Sequence, residues 1–265
     1  MTFELKADVY RMQRRPQHAQ LVLNDDYAGV RVVDAQAGDD VLRVAFPADF
    51  SGMIDAWCLR ADGDELVACD GGGHAVHVSL RDGRARSLRQ LPWTDVAGMP
   101  YDWRGETLWL GDPHSLRFAT LTAGELREVD AFDALQANRA WRRAFDRLRR
   151  AGGGACRVDP ERGELVYVAG ERAGTIGWLE QSELSVAAPI ASGGARIAAG
   201  DAARIGDRIA LLGEYELVVV EADGAVAART AAPDGFHFRC IDACGDELVV
   251  AAAALDSSRV RFMRV

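Results

Sequence analysis

The sequence lacks most of the features that would assign it to a specialised class. No apolar run reaches the ~18 residues a spanning helix requires, and Met1 to Tyr10 shows no basic stretch followed by an apolar one. A secretory leader and a membrane anchor are therefore not expected, and a soluble, cytoplasmic chain is. Cysteine is sparse: Cys58, Cys69, Cys156, Cys240 and Cys244 make an odd count, with no CxxC pair. That pattern argues against a disulfide framework and for free thiols buried in a reducing compartment. Positive charge is also short, with 31 Lys and Arg against 40 Asp and Glu and a net charge of −9. Nucleic acid is accordingly not an expected partner. No Gly-x-Ser-x-Gly elbow, His-Glu-x-x-His, dinucleotide loop or Walker loop occurs. A nucleophile-and-histidine site stays open, because its members need not be close in sequence.

What the sequence does contain is repetition. A turn glycine, one or two polar residues and a short apolar run recur at Gly63 to Cys69, Gly105 to Leu110, Gly163 to Val168, Gly206 to Leu212 and Gly245 to Val250. The glycines lie 42, 58, 43 and 39 residues apart, and each suits the positive φ of a tight hairpin. A strand precedes each turn, as at Ile54 to Arg60 and Phe236 to Asp242. A third strand follows, as at His74 to Leu80, Ser115 to Leu121 and Thr175 to Leu179. A fourth comes after a small turn, as at Arg84 to Leu88 and Val226 to Thr230. Four short strands per unit of about 40 to 45 residues is the period of a propeller blade.

Gln20 to Asn24, Gly29 to Val33 and Val41 to Phe46 supply three strands of a first blade, and the last copy ends after its third strand, Val260 to Val265. Phe3 to Tyr10 then either closes the ring as the missing outer strand or serves as the first blade's inner strand. The expectation is a single all-β domain over residues 1–265, a β-propeller of about six four-stranded blades, with five or seven as alternatives. In length the units resemble blades of WD40, NHL and quinoprotein propellers. The Gly-His and Trp-Asp pairing of WD40 repeats is missing, so the resemblance is one of architecture and assigns no family.

The 58-residue gap holds the exception. Phe132, Leu135, Trp141, Phe145 and Leu148 recur at helical spacing, predicting a helix over 131–151 that Asp130 caps and Gly152-Gly153-Gly154 ends. It carries Arg139, Arg142, Arg143, Arg147, Arg149 and Arg150. These are either solvated residues near a negative helix end or a surface for an anionic ligand or acidic protein.

Loops between second and third strands share one face of a propeller with the blade-to-blade connections, and by fold analogy ligands bind there. Asn24-Asp25-Asp26, Asp70 with His74, Asp112 with His114, Glu171-Arg172, Glu214 and Asp256 fall in such loops. Asp49, Phe50, Trp93, Phe236 and His237 fall in the connections, and the helix would emerge on the same side, as one wall of a pocket. Asp70, His74, Asp112, His114 and His237 are the candidate acid/base groups. No cofactor is expected. A divalent metal held by the two Asp/His pairs is the alternative. Gly71-Gly72-Gly73 is no phosphate loop, because a strand and not a helix follows it.

Two functions follow. The favoured one is a binding or scaffold module that presents one face and the basic helix to a protein, peptide or small anionic ligand, with Arg139, Arg142, Arg143, Arg147, Trp93 and Phe236 as contacts. The other is a small-molecule hydrolase, lyase or isomerase at the channel mouth.

Overall fold

The computed structural model describes residues 2–50, 53–70, 74–88, 99–104, 106–112, 117–122, 125–129, 139–151, 155–159, 162–177, 183–187, 191–192, 195–196, 200–244 and 247–265. Strand β1 (Thr2–Lys6) precedes the first blade, which is β2 (Met12–Arg15), β3 (Gln20–Asp25), β4 (Gly29–Asp34) and β5 (Asp40–Ala45). The second blade is β6 (Ile54–Leu59), β7 (Glu65–Asp70), β8 (Ala75–Ser79) and β9 (Arg84–Ser87). The third is β10 (Met99–Arg104), β11 (Thr107–Asp112), β12 (Arg117–Thr122) and β13 (Glu125–Val129), after which comes helix α1 (Arg139–Arg150). The fourth is β14 (Ala155–Asp159), β15 (Glu164–Ala169), β16 (Arg172–Gly177) and β17 (Glu183–Ala187). A two-residue ladder, β18 (Ala191–Ser192) with β19 (Ala195–Arg196), leads to the fifth blade: β20 (Asp201–Ile205), β21 (Arg208–Leu212), β22 (Glu216–Val220) and β23 (Val226–Ala231). The sixth is β24 (Phe236–Cys244), β25 (Glu247–Ala254) and β26 (Arg259–Arg264), completed by β1.

The six four-stranded antiparallel sheets settle the blade number. Of the two alternatives for Phe3 to Tyr10, closure of the ring holds and the inner-strand role does not. β1 pairs with β26 from Thr2↔Met263 to Lys6↔Arg259 and closes the ring, while the inner strand of the first blade starts at Met12. The Phe3 and Phe262 rings stack at 4.7 Å across that closure. Joining the two ends of the chain in one sheet protects the edge that an open ring would expose.

Packing explains the sequence pattern. Leu21, Leu23 and Val33 of the first blade pack toward Val249, Ala251 and Phe262 of the sixth. Their alternates Val22, Val30 and Val32 pack toward Leu66, Ala68 and Val76 of the second. Middle strands are thus buried on both faces and read as continuous apolar runs, whereas outer strands such as Arg84–Ser87 and Val226–Ala231 are largely exposed. The turn glycines behave as expected at Gly63, with φ 74°, and at Gly163, with φ 59°. At Gly63 a Cβ would also lie 2.7 Å from the Pro16 carbonyl oxygen. Gly105 and Gly245 lie outside the described residues.

One expectation shifts. The third strand of the fourth blade starts at Arg172 rather than Thr175, because Gly170, with φ 58°, reverses the chain at once. The helix is described from Arg139, and residues 131–138 lie outside the described part. Helix α1 is seated against the third and fourth blades. Ala144 and Leu148 are buried in a cluster shared with Leu108 and Leu110 of the third blade and Leu165 and Ile176 of the fourth, so the helix packs as part of the core. Its end, Ala151, sits against Gly170.

Candidate functional site

The face carrying the second-to-third loops and the blade connections is called the upper face below, and the face with the other hairpins the lower one. Among the described residues seven large apolar side chains are exposed, and four of them are on the upper face: Tyr27, Met53, Tyr215 and Leu255. Leu255 is the most exposed, at 61%. Each stands in a turn or connection, and Tyr27, Tyr215 and Leu255 each have an acid directly beside them in sequence.

The loops that carry them are held by the backbone. The Phe238 N–H donates to the Glu214 carbonyl at 2.6 Å, Ala232 to Tyr215 at 2.9 Å and Leu255 to Gly235 at 2.9 Å. The first ties the sixth blade to the fifth, and the other two hold the connection between them to the turn of each blade. In the first blade Asn24 is fully buried and organises its surroundings. Its Oδ1 accepts from the Tyr10 and Arg11 N–H groups at 2.8 Å each, and its Nδ2 donates to the Asp8 carbonyl at 2.7 Å. Asp8 in turn accepts from the Tyr27 hydroxyl at 3.2 Å and from Arg239 at 3.2 Å. The Tyr10 and Tyr27 rings stack at 5.8 Å. The Asp8 carboxylate raises the Tyr27 hydroxyl pKa, and Glu214 does the same to Tyr215 by a hydrogen bond.

Arg239 is aimed by a local irregularity. The β24–β25 register slips between Phe238 and Cys240, and the same slip occurs between Ile54 and Ala56 and between Pro100 and Asp102. Three inner strands thus carry an extra residue near their upper ends, a device that redirects a side chain.

Below the mouth, the channel holds a charge network. Arg157 on β14 donates to the Ile241 carbonyl at 2.6 Å and pairs with Asp242 on β24 at 3.1 Å, with Asp201 on β20 at 4.0 Å. Asp242 also accepts from the Arg14 N–H at 2.6 Å, and Asp201 accepts from the Ile241 N–H at 3.1 Å. Inner strands of the first, fourth, fifth and sixth blades are joined in this way. Burial pushes the Asp201 carboxyl above the ordinary range, against the pull of Arg157 and two N–H groups. Burial of Arg157 is outweighed by Asp242 and Asp201, which raise its pKa. Burial likewise raises the Cys240 thiol, and Cys58, Cys69 and Cys240 are buried and form no disulfide.

The residues singled out from sequence divide as follows. Asp70 is buried. Its Oδ1 accepts the His74 N–H at 2.9 Å and its Oδ2 lies 3.0 Å from His74 Nδ1. His74 is 40% exposed, so its other ring nitrogen faces away from that carboxylate. His114, Trp93 and the side chains of Asp112 and Arg139 lie outside the described residues, so the pairing of the two Asp/His loops does too. His237 holds its Nδ1 buried without a hydrogen-bond partner, and Phe236 is buried under Arg261, whose guanidinium is 4.3 Å from the ring centroid. On α1, Arg142 and Arg150 are exposed. Arg143 pairs with Glu183 at 3.2 Å, while Arg147 pairs with Glu183 and donates to the Tyr167 hydroxyl at 2.8 Å. Among the described residues no three His, Cys, Asp or Glu side chains gather as metal ligands, and no helix is long and apolar enough to cross a membrane.

Sequence reading named Glu214, Asp256 and Asp26 but missed Asp8, Tyr27 and Tyr215. The available signal was an aromatic directly after a turn acid, in Asp26-Tyr27 and Glu214-Tyr215. Arg157, Asp201 and Asp242 were missed because they stand on three different strands, far apart in sequence, and share no spacing to recognise.

No protein-family model and no curated protein matches the chain in sequence. Solved structures match it in fold. The β-propeller domain of Myceliophteria thermophila Cps50 (Swd1) is similar with a TM-score of 0.62 at 11% identity, over 100% of both chains. U3-55K is similar with a TM-score of 0.56 at 11% identity, over 98% of this chain and 79% of that one. The WD40 repeats of RRP9 give 0.55 at 11% identity, over 98% and 78%. The chain thus has the architecture of WD40 propellers, built without their repeat motif.

Proposed function

We propose that this protein is a non-catalytic binding module that engages a protein or peptide through its upper face. The observation that carries the reading is the placement of Tyr27, Met53, Tyr215 and Leu255 there, on loops fixed by backbone hydrogen bonds. Exposed apolar anchors on a rigid support lose little freedom on binding. The propeller neighbours support a scaffold reading at the level of architecture. An anionic ligand would meet Arg142 and Arg150 on the outer side of α1, while Arg143 and Arg147 are already held by Glu183 and Tyr167. The helix is therefore the secondary contact. A photo-crosslinking residue placed at Tyr27 or Tyr215 should yield discrete adducts in the producing cell, and one at Val41 or Val226 should not. Equal yields at all four positions would remove the upper face from the proposal.

A second reading, proton transfer, rests on Asp70 and His74. A buried carboxylate orienting a half-exposed imidazole is the arrangement of a base held in one tautomer. Turnover of an ester, amide or phosphate-ester substrate that disappears in His74→Gln supports it. Turnover that survives the change eliminates His74 as the base.

A further inference from the structure

We infer that the upper face docks a cationic polypeptide segment along an arc that runs over the fifth, sixth, first and second blades. This rests on the binding-face reading above and adds the chemistry of the partner. The arc is continuous in contacts. Glu214 meets Phe238 through the backbone, Arg239 meets Asp8, and Asp8 meets Tyr27. Tyr27 stacks on Tyr10, whose hydroxyl accepts the Ile54 N–H at 3.0 Å, next to the exposed Met53.

Charge selects the occupant. Exposed carboxylates accompany the apolar anchors, with Asp26 before Tyr27, Glu214 before Tyr215 and Asp256 after Leu255. Arg239 lies against the Asp8 carboxylate. A tyrosine ring with a carboxylate at its edge offers a guanidinium or ammonium both a π face and a counter-charge. The counter-charge half of this recognition is already present, since Arg239 pairs with Asp8, which also accepts the Tyr27 hydroxyl, with both charged side chains more than a third exposed. An arginine or lysine from a partner meets Asp26, Glu214 or Asp256 beside an exposed anchor, and aliphatic residues of that partner cover Met53 and Leu255. An acidic segment would instead bring its charges against Asp26, Glu214 and Asp256, and like charges brought together oppose docking.

The test uses the full chain as bait for a displayed library of random dodecapeptides. A parallel selection uses a variant in which Tyr27, Met53, Tyr215 and Leu255 are all changed to serine. That variant keeps every charge, so any non-specific attraction of cations to an acidic protein is retained. All four positions are exposed, and a thermal melt confirms the fold. The expected result is enrichment of Arg- and Lys-rich peptides containing an aliphatic residue. A synthesised winner should bind the serine variant about tenfold more weakly or worse. It should also bind Asp8→Asn/Glu214→Gln more weakly. If neutral or acidic peptides are enriched and still depend on the four residues, the cationic partner is rejected and the binding face stands. If enriched peptides bind both chains equally, or none is enriched, both readings fall.

Discussion

On the lower rim the charges of the ring are consumed between neighbours. Arg15 of the first blade pairs with Asp64 of the second at 2.9 Å and donates to the Gly63 carbonyl at 2.7 Å. Arg60 reaches toward Glu106 of the third blade at 3.8 Å, and Glu164 of the fourth takes Arg204 of the fifth at 2.5 Å. Arg264 of the sixth pairs with Glu247 and donates to the Ala35 carbonyl of the first at 3.2 Å. The upper face is built the other way. Its loops are fixed by backbone bonds and by the buried Asn24 amide, which leaves Tyr27, Tyr215 and Leu255 in solvent. The two faces teach a division of labour: the acids of the Gly63-Asp64 and Gly163-Glu164 turns hold neighbouring blades together, and the opposite turns hold side chains outward.

This contrast can be broken most severely in the channel. Arg157→Ala leaves the largely buried Asp201 and Asp242 carboxylates without the guanidinium they share and should cost about 3–5 kcal/mol in denaturant unfolding. A loss below about 1 kcal/mol would show that the channel carboxylates do not depend on Arg157. On the lower rim, Glu164→Ala removes a carboxylate that is only 2% exposed from Arg204 and should cost about 1–3 kcal/mol by the same measurement.

The acid limb of stability sharpens the comparison further. Burial, with help from Arg86 and Arg60, pushes His77 down from 6.5 to about 4. Arg86 Nε donates to His77 Nδ1 at 3.2 Å, which places the ring proton on Nε2, 2.7 Å from Glu65. The unfolded chain takes up this proton below pH 6.5 and the folded one resists until about 4. Stability is therefore complete above 6.5 and falls as pH drops toward 4, by about 2 kcal/mol at this site after allowance for screening. His77→Gln should flatten that limb, and an unchanged limb would show that His77 does not control it. The smallest effect is expected above. Serine at Met53, Tyr215 or Leu255 should change stability by no more than about 0.5 kcal/mol each, and serine at Tyr27, which gives up its stack on Tyr10, by about 1 kcal/mol. A loss of several kcal/mol at any of them would mark that side chain as structural and weaken the contrast between the faces.

Much of the fold was legible in the sequence, and the site was legible in part. The turn glycines with their following apolar runs gave the strands and the blade period, because a strand buried on both faces must be apolar throughout. The helix was legible from spacing, but not its place, since Ala144 and Leu148 show only in the folded chain which blades they touch. Asp70 and His74 did meet, being four residues apart across one turn. Asp8 and Arg239 could not be joined by inspection, because 231 residues separate them.

The sequence by itself determined a closed ring of four-stranded blades, since turn chemistry and strand burial are local and repeat along the chain. Only the tertiary structure decided which charges were consumed and which side chains stayed exposed. Closure by β1 brings the amino terminus beside the sixth blade and sets Asp8, Tyr27 and Arg239 together on the face proposed here for binding. That juxtaposition depends on how the blades meet, and no single blade encodes it.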